Sequence, residues 1–114
     1  MPDLFATIPC PAPVPSLFWV YILQSADRSL YIGQTNNLPE RLRKHGLDLG
    51  SKHTHDHGQP RLVYYEGPIA PSGAVARERQ LKRWSRAKKE ALIRGDHRAL
   101  KALSRSRALL PRQT

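Results

Sequence analysis

The longest apolar run in the chain is LFWVYIL, from Leu17 to Leu23. Seven residues are far too few to cross a bilayer as a helix, which takes about 20. The run mixes aromatic and β-branched residues, so together with Gln24 it predicts a strand over 17–24. SADRS follows with turn chemistry, and LYIGQ predicts a second strand over 30–34, so the two form a hairpin. Gly33 near the end of that strand signals a close backbone approach or an unusual dihedral.

The segment TNNLPERLRKH then changes period. Asn37 is a helix cap with Glu40 three residues on, and Pro39 is tolerated in a first turn, so a helix is expected over 38–45 with Leu38 and Leu42 toward the core. Residues 46–60 hold Gly46, Gly50, Gly58 and Pro60 and read as a loop. RLVYYE, residues 61–66, is a third strand. After GPIAPSG a helix is expected over 73–84, capped by Ser72; Ser85 caps a second over 86–94, ended by Gly95; a third begins at Asp96. The order β-β-α-β-α-α predicts an α/β (α+β) fold: a small three-stranded, mainly antiparallel sheet flanked by helices.

The chain has 114 residues, of which 39% are hydrophobic, a one-domain length with material for a modest core. Five of the ten prolines fall in residues 1–15, which read as a flexible leader outside the fold. Residues 16–94 form the folded domain, and 95–114 a basic C-terminal helix and tail. The single cysteine, Cys10, excludes an intrachain disulfide, and no signal-peptide pattern stands at the start, so a cytoplasmic location is expected.

Nineteen Lys and Arg against nine Asp and Glu leave a net charge of +10. A pI near 10.5 points to a nucleic-acid partner, whereas no stretch suits a membrane and no obligate protein partner is evident. Residues 77–94 hold eight Lys or Arg and only two Glu, a phosphate-binding composition. One of those acids, Glu78, shares a helical face with Ala74 and Leu81. Tyr21 and Tyr31 come from neighbouring strands of the hairpin, and Arg41 and His45 stand one turn apart on the first helix. Singly, each has an ordinary reading: packed tyrosines, solvated surface charges, a Glu78–Lys82 pair four residues apart.

Their order carries more. WVY at 19–21, YIG at 31–33, Arg41 ten residues beyond Tyr31, and ARERQLKRWSRAKKEALI with Glu78 within it resemble the GIY-YIG nuclease family, in its small single-domain bacterial form, over roughly residues 16–94. The resemblance implies a divalent-metal-dependent endonuclease that hydrolyses DNA phosphodiesters, with DNA repair or recombination as its setting. It implies Glu78 as the metal ligand, for Mg²⁺ or alternatively Mn²⁺. Arg41 then grips the phosphate, and one of Tyr21, Tyr31 and His45 serves as the base. Gly33, Gln34, Lys44, Lys82, Arg83, Arg86, Lys88 and Lys89 are the expected nucleic-acid contacts, with DNA the expected substrate and RNA left open.

Two positions depart from the family pattern: Gln34 stands where some members carry lysine, and Glu90 where many carry asparagine. They motivate the alternative of a catalytically inactive nucleic-acid-binding module of the same fold. KHTHDHG at 52–58, with His53, His55 and His57, invites a zinc reading. It is one residue short of the metallo-β-lactamase-like pattern and lies outside the matching positions, so a solvated loop edge near the DNA is expected instead.

Overall fold

A computed structural model describes residues 4–48 and 60–109, and within them the side chains of 4–44 and 60–104. The element order is β1 (Phe18–Gln24), β2 (Leu30–Thr35), α1 (Leu38–Asp48), β3 (Arg61–Ile69), α2 (Pro71–Lys82), α3 (Arg86–Arg94) and α4 (His97–Leu109). The expected architecture is the one observed: a three-stranded antiparallel sheet, ordered β2-β1-β3, with helices flanking it. The chain divides into two units, residues 1–82 with the sheet, α1 and α2, and residues 83–114 with α3 and α4.

β1 is the central strand, and six of its seven residues are buried. Successive side chains of a strand alternate between faces. Trp19, Tyr21 and Leu23 therefore share one face, where they pack with Leu38 of α1 and Leu62 of β3, and Leu42 and Tyr65 close over them. Burying Leu38 completely contributes about 1.5–3 kcal/mol. Val20 and Ile22 turn the other way, opposite Glu66 and Tyr64 in the β3 register. α2 packs on β1 and β2 and buries Ala74 and Leu81.

α1 runs on to Asp48, β1 begins at Phe18 and β2 ends at Thr35, and three further boundaries differ from the sequence expectation for local reasons. β3 runs on through Gly67 and Pro68 to Ile69, which pairs with Phe18. A proline is tolerated there because β3 is an edge strand and needs no outward donor. α2 starts at Pro71 rather than 73, since a proline at the first helical position lacks only an amide that would go unpaired. Its first bond runs from the Ala74 amide to the Ala70 carbonyl, so Ser72 lies inside the helix and is not its cap. α2 ends at Lys82, and Ser85 caps α3 by accepting from the Lys88 amide at 3.2 Å.

The proline-rich segment is the larger correction. Residues 4–15 are not detached from the fold: the Ile8 amide donates to the Leu62 carbonyl at 3.0 Å, and the Phe5 amide to Gln24 Oε1 at 2.7 Å. Ile8 and Val14 pack against the core. The prolines dominate the composition, but the few residues between them carry amides that bond Leu62 and Gln24 and apolar groups that pack on the core.

Candidate active site

The β1–β2 register places Tyr21 opposite Gly33. The Tyr21 ring lies across that glycine so closely that a Cβ there would be 2.5 Å from the phenol oxygen and 2.7 Å from Cζ. Gly33 is thus a packing position beneath the tyrosine, and the missing side chain is what lets the ring cross. Tyr31, two residues earlier on β2, has its ring centroid 6.3 Å from that of Tyr21. The two differ in environment: Tyr21 is fully buried, whereas Tyr31 is 48% exposed.

Arg41 reaches Tyr21 from the first turn of α1, after a short, hydrogen-bonded β2–α1 junction. The Asn37 amide donates to Thr35 Oγ1 at 3.1 Å, and Asn37 Oδ1 accepts from the Glu40 amide at 3.0 Å. The expected reciprocal half of the capping box is absent, since the Glu40 carboxylate pairs with Arg43. Arg41 follows in the first turn, its amide bonded to the Asn37 carbonyl.

Glu78 arrives from α2. On a helix of 3.6 residues per turn, Arg77 and Glu78 flank opposite sides of the stripe made by Ala74 and Leu81. Arg77 turns to β3, where its Nε and Nη2 each bond the Glu66 carboxylate at 2.8 Å. Tyr64 donates to the same carboxylate at 2.5 Å. Burial acts to raise the Glu66 pKa, but the Arg77 and Tyr64 hydrogen bonds outweigh it and hold the group below its ordinary value. The opposite flank leaves Glu78 on the side of the tyrosines.

The Tyr21 hydroxyl registers all of these neighbours. Burial pushes its pKa up to about 12; the Arg41 charge acts to lower it, and Tyr31 and Glu78 raise it further. The Arg41 guanidinium approaches the phenol oxygen without completing a hydrogen bond of normal geometry, so that oxygen is buried with no partner among the described residues. Tyr21, Tyr31, Arg41 and Glu78, dispersed over 58 positions, therefore meet around one orphaned hydroxyl. Buried polar groups without a partner are uncommon, and the Trp19 indole N–H is a second one among the described residues.

Glu78 also makes the ordinary contact expected of it. Lys82 Nζ stands 2.8 Å from Glu78 Oε2, which raises the lysine pKa. The carboxylate stays largely shielded, its side chain 19% exposed. Among the described residues no three of His, Cys, Asp and Glu come together. A cation held here would take the Glu78 carboxylate and fill the rest of its shell from water and phosphate, as a hard divalent ion does. Lys82 already demonstrates that the carboxylate accepts a positive charge.

The remaining expected contacts separate. Lys44 is exposed on α1, Gln34 is half-buried on β2, and His45 belongs to α1 one turn after Arg41. Arg83, Arg86, Lys88 and Lys89 belong to the second unit. Arg86 is paired with Glu90 at 2.8 Å, and Lys88 is buried with its ammonium 4.2 Å over the Trp84 ring, so it is not the surface cation expected. The His53, His55 and His57 triplet lies outside the described residues. Sequence reasoning missed the Tyr64–Glu66–Arg77 network; the readable signal was the position of Arg77 on the flank of the same stripe that carries Glu78.

A family model described as the GIY-YIG catalytic domain matches residues 17–91. A UPF0213 protein of Natronomonas pharaonis is 40% identical over 75 residues, covering 66% of this chain and 88% of that protein. One from Clostridium perfringens is 41% identical over 75 residues, covering 66% and 81%. The solution NMR structure of a UPF0213 protein from Bacillus halodurans is 37% identical, covers 67% of this chain and 81% of that one, and gives a TM-score of 0.45.

Proposed function

This chain belongs to the GIY-YIG nuclease family, whose members act on nucleic acids, and on that premise we propose that it is a divalent-metal-dependent DNA endonuclease. The observation that carries the reading is the buried, unpartnered Tyr21 hydroxyl with Arg41, Tyr31 and Glu78 around it. A cut of this kind serves DNA repair or recombination. No helix among the described residues is long and apolar enough to cross a membrane.

Each residue has a part that its surroundings suit. Arg41 offers a planar fork of donors to the scissile phosphate, neutralising its charge and orienting it. Tyr21, with its pKa near 12, keeps its proton at neutral pH, so it acts as a donor to a phosphate oxygen or the attacking water rather than as a base. Tyr31 is open to solvent and holds the attacking water by a hydrogen bond; His45, on the next turn of α1 after Arg41, is the candidate base for that water's proton. Glu78 would hold the ion, taking it in exchange for Lys82. When bound, the ion, Mg²⁺ first and Mn²⁺ as the alternative, supplies charge neutralisation on the phosphate and the departing oxygen.

A second reading, a nucleic-acid-binding module without catalysis, draws on the Lys82 ammonium that neutralises Glu78 and on Glu90 bound to Arg86. One experiment separates the two. Supercoiled plasmid is incubated with wild-type protein or Glu78→Gln in Mg²⁺ or Mn²⁺. The nuclease reading expects nicking that Glu78→Gln lowers by about a hundredfold or more. No nicking by either protein, or equal nicking by both, refutes it.

A further inference from the structure

The positive charge of this chain is distributed very unevenly. Ten of the 19 Lys and Arg lie in residues 83–114, opposed only by Glu90 and Asp96, so this unit carries +8 of the net +10. The unit with the sheet holds the other nine cations against seven acids. The family match ends at residue 91, so the last turn of α3 and all of α4 lie beyond it. α4 carries Arg98, Lys101, Arg105 and Arg107 and not one acid.

The arrangement within this unit leaves the described part of that charge available. α4 packs on α3, and its Ala99, Leu100 and Leu103 are half-buried. Helical periodicity sets Arg98 and Lys101 on the opposite side, and both are exposed, as is Arg94 in the last turn of α3. Among the described residues Arg94, Arg98 and Lys101 make no ion pair, whereas Arg86 is paired with Glu90 and Lys88 lies over the Trp84 ring.

We propose that Arg94, Arg98 and Lys101 form a tether for the phosphate backbone of duplex DNA, outside the segment that the family shares. The proposal takes its polyanion from the nuclease reading. A membrane surface fits less well, because a helix that binds lipid must offer its apolar face, and here that face packs on α3. Cations on an exposed helix side, without acids among them, are what sequence-independent backbone binding requires.

The test is fluorescence anisotropy with a labelled 20-base-pair duplex and full-length protein, from 50 to 200 mM salt. Each lost phosphate contact lowers the slope of log affinity against log salt by about 0.9. Arg94→Gln/Arg98→Gln/Lys101→Gln therefore reduces the slope by about 2.7, so wild-type affinity falls about fortyfold more than that of the variant over this range. The charge-keeping Arg98→Lys/Lys101→Arg retains the wild-type slope. Arg43→Gln, which removes a cation already paired with Glu40, leaves it unchanged. An unchanged slope in the triple variant overturns the proposal, as does an equal reduction by Arg43→Gln, which would mean net charge alone. Loss of co-sedimentation with phosphatidylserine vesicles, with DNA binding intact, overturns it in favour of a membrane. If wild-type protein never nicks DNA yet the triple variant loses slope, the tether stands and the nuclease reading falls.

Discussion

Replacing Tyr21 by Phe should make the protein more stable and less active. The hydroxyl is fully buried and has no hydrogen-bond partner among the described residues. Leaving such a group unpaired costs about 1–3 kcal/mol, and removing it recovers most of that while the ring keeps its packing on Gly33. The lost attraction to Arg41 trims the gain, so a net stabilisation of about 1–2 kcal/mol is expected. For a chain of this length that is an increase in Tm of about 4–8 °C, read by circular dichroism at pH 7 without divalent metal. The pH dependence supplies an independent check. The folded pKa is raised above the ordinary 10 to about 12, so the folded state holds the proton more tightly between those values. Stability from this source is complete below pH 10 and is lost as pH rises toward 12, with a slope of up to about 1.4 kcal/mol per pH unit. Tyr64, also pushed up by burial, contributes in the same direction in both proteins, so the difference between wild type and Tyr21→Phe isolates Tyr21. Cleavage by the variant should drop about a hundredfold. A variant less stable than wild type would show that the hydroxyl is satisfied in the folded protein, and one that loses stability just as steeply above pH 10 would show that burial does not hold its proton.

Two further outcomes follow from the same geometry. Gly33→Ala drives a methyl group to within 2.5 Å of the phenol oxygen and should cost about 1–3 kcal/mol in urea unfolding, a cost that vanishes in a Tyr21→Leu background; the same cost in both backgrounds would refute the contact. Glu66 has a lowered pKa, so its contribution is present above the ordinary carboxylate range and is lost as pH falls through the folded value. Glu66→Gln should therefore be less stable than wild type at pH 7 yet lose less on acidification, and parallel acid limbs would contradict the pairing with Arg77.

What could be read from the sequence is what acts over three or four residues. Asn37 accepting from the Glu40 amide, Ser85 from the Lys88 amide and Asp96 from the Ala99 amide are contacts within one turn, and each cap was visible in the residue types. Gly95 ends α3 in the left-handed conformation for the same local reason. The β1–β2 hairpin was legible too, since seven apolar and aromatic residues leave little alternative to a strand. The order of Tyr21, Tyr31, Arg41 and Glu78 along the chain picked out the residues proposed for the site. It did not say that Tyr21 would be buried and Tyr31 open, because that difference comes from the register that sets Tyr21 over Gly33. Nor did it reveal the Ile8–Leu62 hydrogen bond or the Glu66–Arg77 pair, whose partners are 54 and 11 residues apart. Lys88 makes the same point in miniature. Its residue type and its basic neighbours argue for a solvated cation, yet it is buried with its ammonium over Trp84. Local chemistry chooses helix, strand and cap. Which face a side chain takes, and what meets it there, is decided only when distant segments pack, because burial and pairing energies exist only between surfaces that the whole fold brings together.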